Sequence, residues 1–73
     1  MSFGKRLNLS RKEHGQTAQS MADMLGIGVR SYRAYESDDR EPCFEALIKI
    51  ADFLNVSTDY LLCRDEFLSK NAD

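Results

Sequence analysis

The chain has 73 residues, 42% of them hydrophobic, with ten Lys/Arg against twelve Asp/Glu and a formal net charge of −2. Seventy-three residues are expected to form one small domain, near the size at which a lone core becomes marginal. The apolar fraction excludes wholesale disorder, and one proline with four glycines favours a few helices over many short strands.

In chain order, Ser2 is placed to cap a first helix whose inward stripe is Phe3, Leu7 and Ser10/Arg11, with Gly15 as the stop. Leu9 falls off that stripe, and Ser10 stands where an apolar residue is expected. Thr17 caps a second helix, which turns Met21, Ala22 and Leu25 inward and ends at Gly26. Only Ile27 and Gly28 separate it from a third helix, Val29 to Glu36, with Tyr32 and Tyr35 three apart. Two short helices joined by a tight turn holding glycine have the layout of a helix-turn-helix. A polar loop, "SDDRE", follows. Pro42 is expected in the first turn of a fourth helix, with Phe44, Leu47, Ile48, Ala51 and Leu54 as its core stripe and Asn55 at its end. Ser57 caps a short fifth helix, "TDYLLCRDEFL", with Asp59 near its positive end and Leu61 in the core. The expected architecture is all-α, with five helices. Residues 1–65 form the domain, and 66–73 are a short C-terminal tail that either frays or extends the last helix.

The net charge conceals an asymmetry. Residues 1–40 carry seven bases against five acids, and residues 41–73 three bases against seven acids. A mildly basic front half keeps a polyanionic partner open, because phosphate contacts depend on the local face. Cys43 and Cys63 are too few for a disulfide framework or a zinc site. They read as reduced thiols of a cytoplasmic protein, with a redox-sensing pair as the competing view. The start of the chain has no continuous apolar run, so no signal peptide is expected, and no segment reaches membrane-span length. His14, the single histidine, suits the negative end of the first helix. With no histidine–cysteine cluster, nucleophile constellation or glycine-rich phosphate loop, no metal, cofactor or enzymatic activity is expected.

An ordered set of residues then resembles the phage-repressor/Cro-like (XRE) helix-turn-helix family over roughly residues 3 to 64. The set comprises Arg6-Leu7, Arg11 ahead of Gly15, Thr17 with Ala22, Gly26, Glu36, the "REP" of 40–42 and "FEALIKIADFLNVSTDYLL" at 44–62. The resemblance implies a repressor-like bundle acting as a DNA-binding transcriptional regulator, a homodimer on double-stranded DNA. It also implies an ion pair between Arg11 and Glu36 that ties the first helix to the third. Carried over position by position, Gly28, Val29, Arg30, Arg33 and Ala34 face the bases, while Thr17, Gln19, Ser31 and Arg40 hold the backbone. Arginine suits this task because its planar fork matches the two acceptors of guanine in the major groove. An ordinary solvated pair of arginines, tied to Asp38 or Asp39, is the competing reading. Lys5, Arg6 and Lys12 lie further off and are expected to face solvent, and Leu62, Phe67 and Leu68 are candidates for a dimer interface.

This chain also departs from the pattern. Ala18 replaces the common phosphate-holding glutamine, Gly28 replaces a capping Ser/Thr, and Ser37-Asp38-Asp39 replaces Asn-Gly and a base. Backbone contacts supply most non-specific affinity, so these changes thin the grip on DNA. They also support an alternative, a protein-interaction module of the same fold whose partner is a protein, of antitoxin or anti-repressor type.

Overall fold

The structure, a computed structural model, describes residues 2–64. They form five helices and no strand: α1 Phe3–Glu13, α2 Ala18–Leu25, α3 Val29–Glu36, α4 Phe44–Leu54 and α5 Thr58–Leu61. The start of each helix follows local chemistry. The Ser2, Thr17 and Ser57 side chains each accept a hydrogen bond from the backbone N–H three residues on, at 3.2, 3.0 and 3.0 Å. At Thr17 the arrangement is reciprocal, since its own N–H donates to the Ser20 hydroxyl at 3.1 Å.

All five helices end alike. Gly15, Gly26, Asp38, Asn55 and Cys63 each adopt a left-handed conformation, with φ between 55° and 73°. The amide after each of them reaches back to a carbonyl of the last turn, as Gln16 N–H does to Arg11 and Asp39 N–H to Ala34, both at 3.0 Å. Two of the five are glycines that suffer no Cβ crowding in this conformation.

Leu7, Met21, Ala22, Tyr32, Tyr35, Ile50, Ala51, Leu54 and Leu61 make up the buried core. Helices α2 and α3 pack closely and rest on α1 and α4, while α5 closes the end between α1 and α4. Ser10 is buried as well, and its hydroxyl has no hydrogen-bond partner among the described residues.

The fourth helix differs from expectation. Its inward residues are Leu47, Ile50, Ala51 and Leu54, spaced three and four apart, whereas Phe44 is 86% and Ile48 53% exposed. Phe44 overhangs the end of the bundle, and Ile48 lies to the side of the stripe that Ile50 completes. Pro42 is not in the first turn either. Cys43 is the cap, and the first helical bond runs from Leu47 N–H to the Cys43 carbonyl at 2.8 Å. Arg6, expected in solvent, lies over the Tyr60 ring at 4.5 Å and donates to the Tyr60 carbonyl at 3.1 Å, tying α1 to α5. The fifth helix, expected to run on past Cys63, is instead a single turn ending at Leu61, stopped by the left-handed backbone of Cys63, and the expected tail with Phe67 and Leu68 lies outside the described residues.

Candidate nucleic-acid interface

The orientation of α3 is set by its inner face. Tyr32 and Glu36, one turn apart, meet α1, and the Tyr32 hydroxyl donates to Glu36 Oε2. Glu36 also accepts from Arg11 Nε at 2.6 Å and from Asn8 Nδ2 at 2.7 Å. Arg11 and Glu36 expose only 14% and 12% of their side chains, so this ion pair is largely removed from water. Arg11 uses Nη1 to hold the Gln16 carbonyl at 2.9 Å, which anchors the start of α2 in the same cluster.

The protonation states follow from this enclosure. Burial pushes the Glu36 carboxyl up, but the bonds from Arg11, Tyr32 and Asn8 outweigh it and hold it below its ordinary value. Burial, reinforced by the neighbouring Glu36, pushes the Tyr32 phenol far above its ordinary value. The cluster is therefore charged on both partners and neutral at the tyrosine at neutral pH.

With Tyr32, Tyr35 and Glu36 turned inward, Arg30 and Arg33 stand exposed on the opposite side, three residues apart. Neither side chain makes a hydrogen bond or ion pair among the described residues. The two acids expected to compete for them are engaged elsewhere. Asp38 turns back to α1 and accepts the Gly4 N–H at 2.8 Å, while Asp39 accepts from the Ser37 hydroxyl at 2.8 Å. The Ser2 hydroxyl and the Gly4 amide together hold the Asp38 carboxyl below its ordinary value.

The remaining candidates divide by environment. Gly28 caps α3 with no side-chain bond, and Ser31 and Ala34 are half-buried. Val29 gives part of its side chain to the core, as does Ala18. Thr17 is exposed at the start of α2, its oxygen committed to Ser20 N–H and its hydroxyl proton available to an acceptor. Gln19 donates to Asp23 at 2.9 Å, so a phosphate there must compete with a carboxylate. Arg40 is exposed in the α3–α4 loop.

Gly4 and Asn8 carry no mark in the sequence beyond their place in the first helix. A Cβ on Gly4 would stand 2.3 Å from the Glu36 carbonyl oxygen, so α1 and the end of α3 approach through a glycine. The same approach joins Gly4 to Asp38, 34 positions apart, and no local signal announces it.

This arrangement, a short helix and a second helix held by a buried charge cluster with its outer face left free, defines a helix-turn-helix domain. The helix-turn-helix family model matches residues 7–61, and the chain belongs to that family. It is 45% identical over 71 residues to the HTH-type transcriptional regulator ImmR of Bacillus subtilis, covering 97% of this chain and 56% of that protein. Over 64 residues it is 44% identical to the cryptic phage CTXphi transcriptional repressor RstR of Vibrio cholerae, covering 88% of this chain and 57% of that one. The chain thus spans just over half the length of these relatives. Among solved structures, a transcriptional regulator from Listeria innocua superposes with a TM-score of 0.77 at 26% identity, over 99% of this chain and 78% of that one.

Proposed function

We propose that this chain is a sequence-specific DNA-binding transcriptional regulator, of repressor type, which inserts α3 into the major groove and works in the cytoplasm as a homodimer. One observation carries the reading: the Arg30 and Arg33 side chains stand exposed on the outer face of α3, unpaired among the described residues, while Asp38 and Asp39 are bonded elsewhere. In this role Arg30 and Arg33 offer their forks to guanine, and Val29 and Ala34 offer apolar contact to a thymine methyl. Gly28 lets the backbone come close to the bases, and Thr17, Gln19, Ser31 and Arg40 hold phosphates. The relatives' names as regulators and repressors support the same role.

The grip on the backbone is thin, because Ala18 and Gly28 offer no hydroxyl or amide side chain to a phosphate. Specificity therefore rests on few side chains, and binding is expected to be strongest at low salt. Selecting bound fragments from random DNA at low salt tests the reading. The wild type should enrich one motif with guanines in each half-site, and Arg30→Ala should lose that preference. No enrichment at any salt concentration would leave the fold as a protein-interaction module instead.

A further inference from the structure

The loop from α3 to α4 is tied down on two sides. Towards α3, the Asp39 and Arg40 amides both donate to the Ala34 carbonyl, at 3.0 and 3.2 Å. Towards α1, the Asp38 carboxylate accepts the Gly4 N–H at 2.8 Å and is bonded by the Ser2 hydroxyl. Among the described residues, Asp38 alone carries a side-chain hydrogen bond from this loop to α1. Gly4 is buried, so its amide finds no ready substitute in water, and the fold must keep the bond. Asp38 reaches it from φ 64°, a left-handed backbone that aspartate tolerates better than most side chains.

Charge and position make opposite demands at this residue. The carboxylate stays negative while it accepts these bonds, so its charge opposes a phosphate held by Arg40, two residues on. Its contacts, however, fix the backbone from which Arg40 projects. Arg40 is exposed and its side chain has no partner among the described residues, so that backbone is what directs it. A side chain on an anchored loop loses less freedom on meeting its ligand than one on a loose loop. Salt screens an exposed charge over about 10 Å at ~0.1 M, whereas the anchoring does not fade with salt.

We propose that Asp38 is a positioning residue for DNA binding: by bonding the first turn of α1 it holds the α3–α4 loop so that Arg40 is presented to a phosphate. This rests on the DNA-binding reading above. An acid on the DNA side of the loop thus strengthens the grip.

Two substitutions separate position from charge. Asp38→Asn removes the charge but keeps an acceptor for the Gly4 N–H and tolerates the left-handed backbone. Asp38→Gly removes the charge and the bond, and suits the backbone better still. If the carboxylate acted only as a repelling charge, both variants would bind DNA more tightly than wild type. Binding isotherms on the selected duplex and a scrambled one, at several salt concentrations, read the difference. Asp38→Asn should bind at least as tightly as wild type, to within about twofold. Asp38→Gly should lose about three- to tenfold on both duplexes and flatten the slope of log affinity against log salt by up to about 1. In an Arg40→Ala background, Asp38→Gly should change affinity by less than about twofold, because the residue it positions is gone. Circular dichroism and urea unfolding check that each variant is fully folded under the binding conditions. Asp38→Gly binding as tightly as wild type overturns the proposal. So does an equal loss in the Arg40→Ala background, or an Asp38→Asn protein that falls as far as Asp38→Gly. In each of these cases a wild type that binds DNA leaves the regulator reading standing, whereas a wild type that binds no duplex at low salt overturns both.

Discussion

The Asp38 carboxylate accepts the backbone N–H of Gly4 at 2.8 Å, joining the residue that ends α3 to the first turn of α1. Asp38 reaches this position from a left-handed conformation, φ 64°, and its charge meets the positive end of α1. An acid that looks in sequence like an obstacle to phosphates thus serves the fold, and among the described residues it leaves the arginines of α3 without a carboxylate partner.

Gly4 is the other half of that contact. Gly4→Ala places a methyl 2.3 Å from the Glu36 carbonyl oxygen and 2.9 Å from Asp38 Oδ2, so α1 must shift. We expect a loss of about 2 kcal/mol or more, outweighing alanine's better helix propensity. Urea unfolding followed by circular dichroism measures it, and stability at or above wild type would refute the close approach.

Removing Glu36 strands Arg11 in a largely dry site. Glu36→Ala should cost about 3 kcal/mol, in the range for breaking a buried pair from one side. The same cluster sets the pH response. The folded carboxyl of Glu36 lies below its ordinary 4.5, and that of Asp38 below its ordinary 3.8. Each therefore contributes stability that is present above those values and lost as pH falls through the folded ones. Tyr32 runs the other way. Its phenol is raised, so its contribution is present below its ordinary 10.0 and lost as pH rises beyond it. Unfolding free energies measured across pH should form a plateau between these limits. Glu36→Gln should flatten the acid limb, and Tyr32→Phe the alkaline one.

Ser10 buries a hydroxyl with no partner among the described residues. Ser10→Ala removes that desolvated group and suits a helix, so it should stabilise the protein by about 1 kcal/mol. A thermal melt showing lower stability would mean that the hydroxyl is satisfied in solution.

Arg30 and Arg40 separate readout from grip. Arg30→Ala should cost about 1–3 kcal/mol on the preferred DNA sequence and little on others. Arg40→Ala should weaken all sequences alike and reduce the slope of log affinity against log salt by about 1. Both residues are exposed, so folding stability should stay within about 0.5 kcal/mol of wild type. Binding isotherms on matched and scrambled duplexes at several salt concentrations distinguish the two effects.

Gly28 offers a gain rather than a loss. It caps α3 without a side-chain bond, and a Cβ there meets nothing within 4 Å. Gly28→Ser should add a cap worth a few tenths of a kcal/mol, about 0.3–0.5, and should tighten DNA binding by supplying a hydroxyl for a phosphate. A melt and a binding isotherm together check it, and unchanged affinity would place this cap away from the backbone of the duplex.

What this sequence determines by itself is local. Ser2, Thr17 and Ser57 sit within three residues of the amides they satisfy, and Gly15, Gly26 and Asn55 bring their own tolerance of left-handed backbone. The starts of α1, α2 and α5, the ends of α1, α2 and α4, the helix-turn-helix and the inward faces of α2 and α3 are therefore legible along the chain. The pairing of Arg11 with Glu36, 25 residues apart, came only through the family resemblance. The rest depends on where separate helices meet. Ile48 and Ile50 have the same chemistry, and only the packing of α4 against its neighbours buries one and leaves the other in water. Gly4, Asn8 and the turned-in Asp38 acquire their roles because the end of α3 lies against α1. No residue nearby in sequence encodes that proximity, and it turns Asp38 away from the arginines of α3.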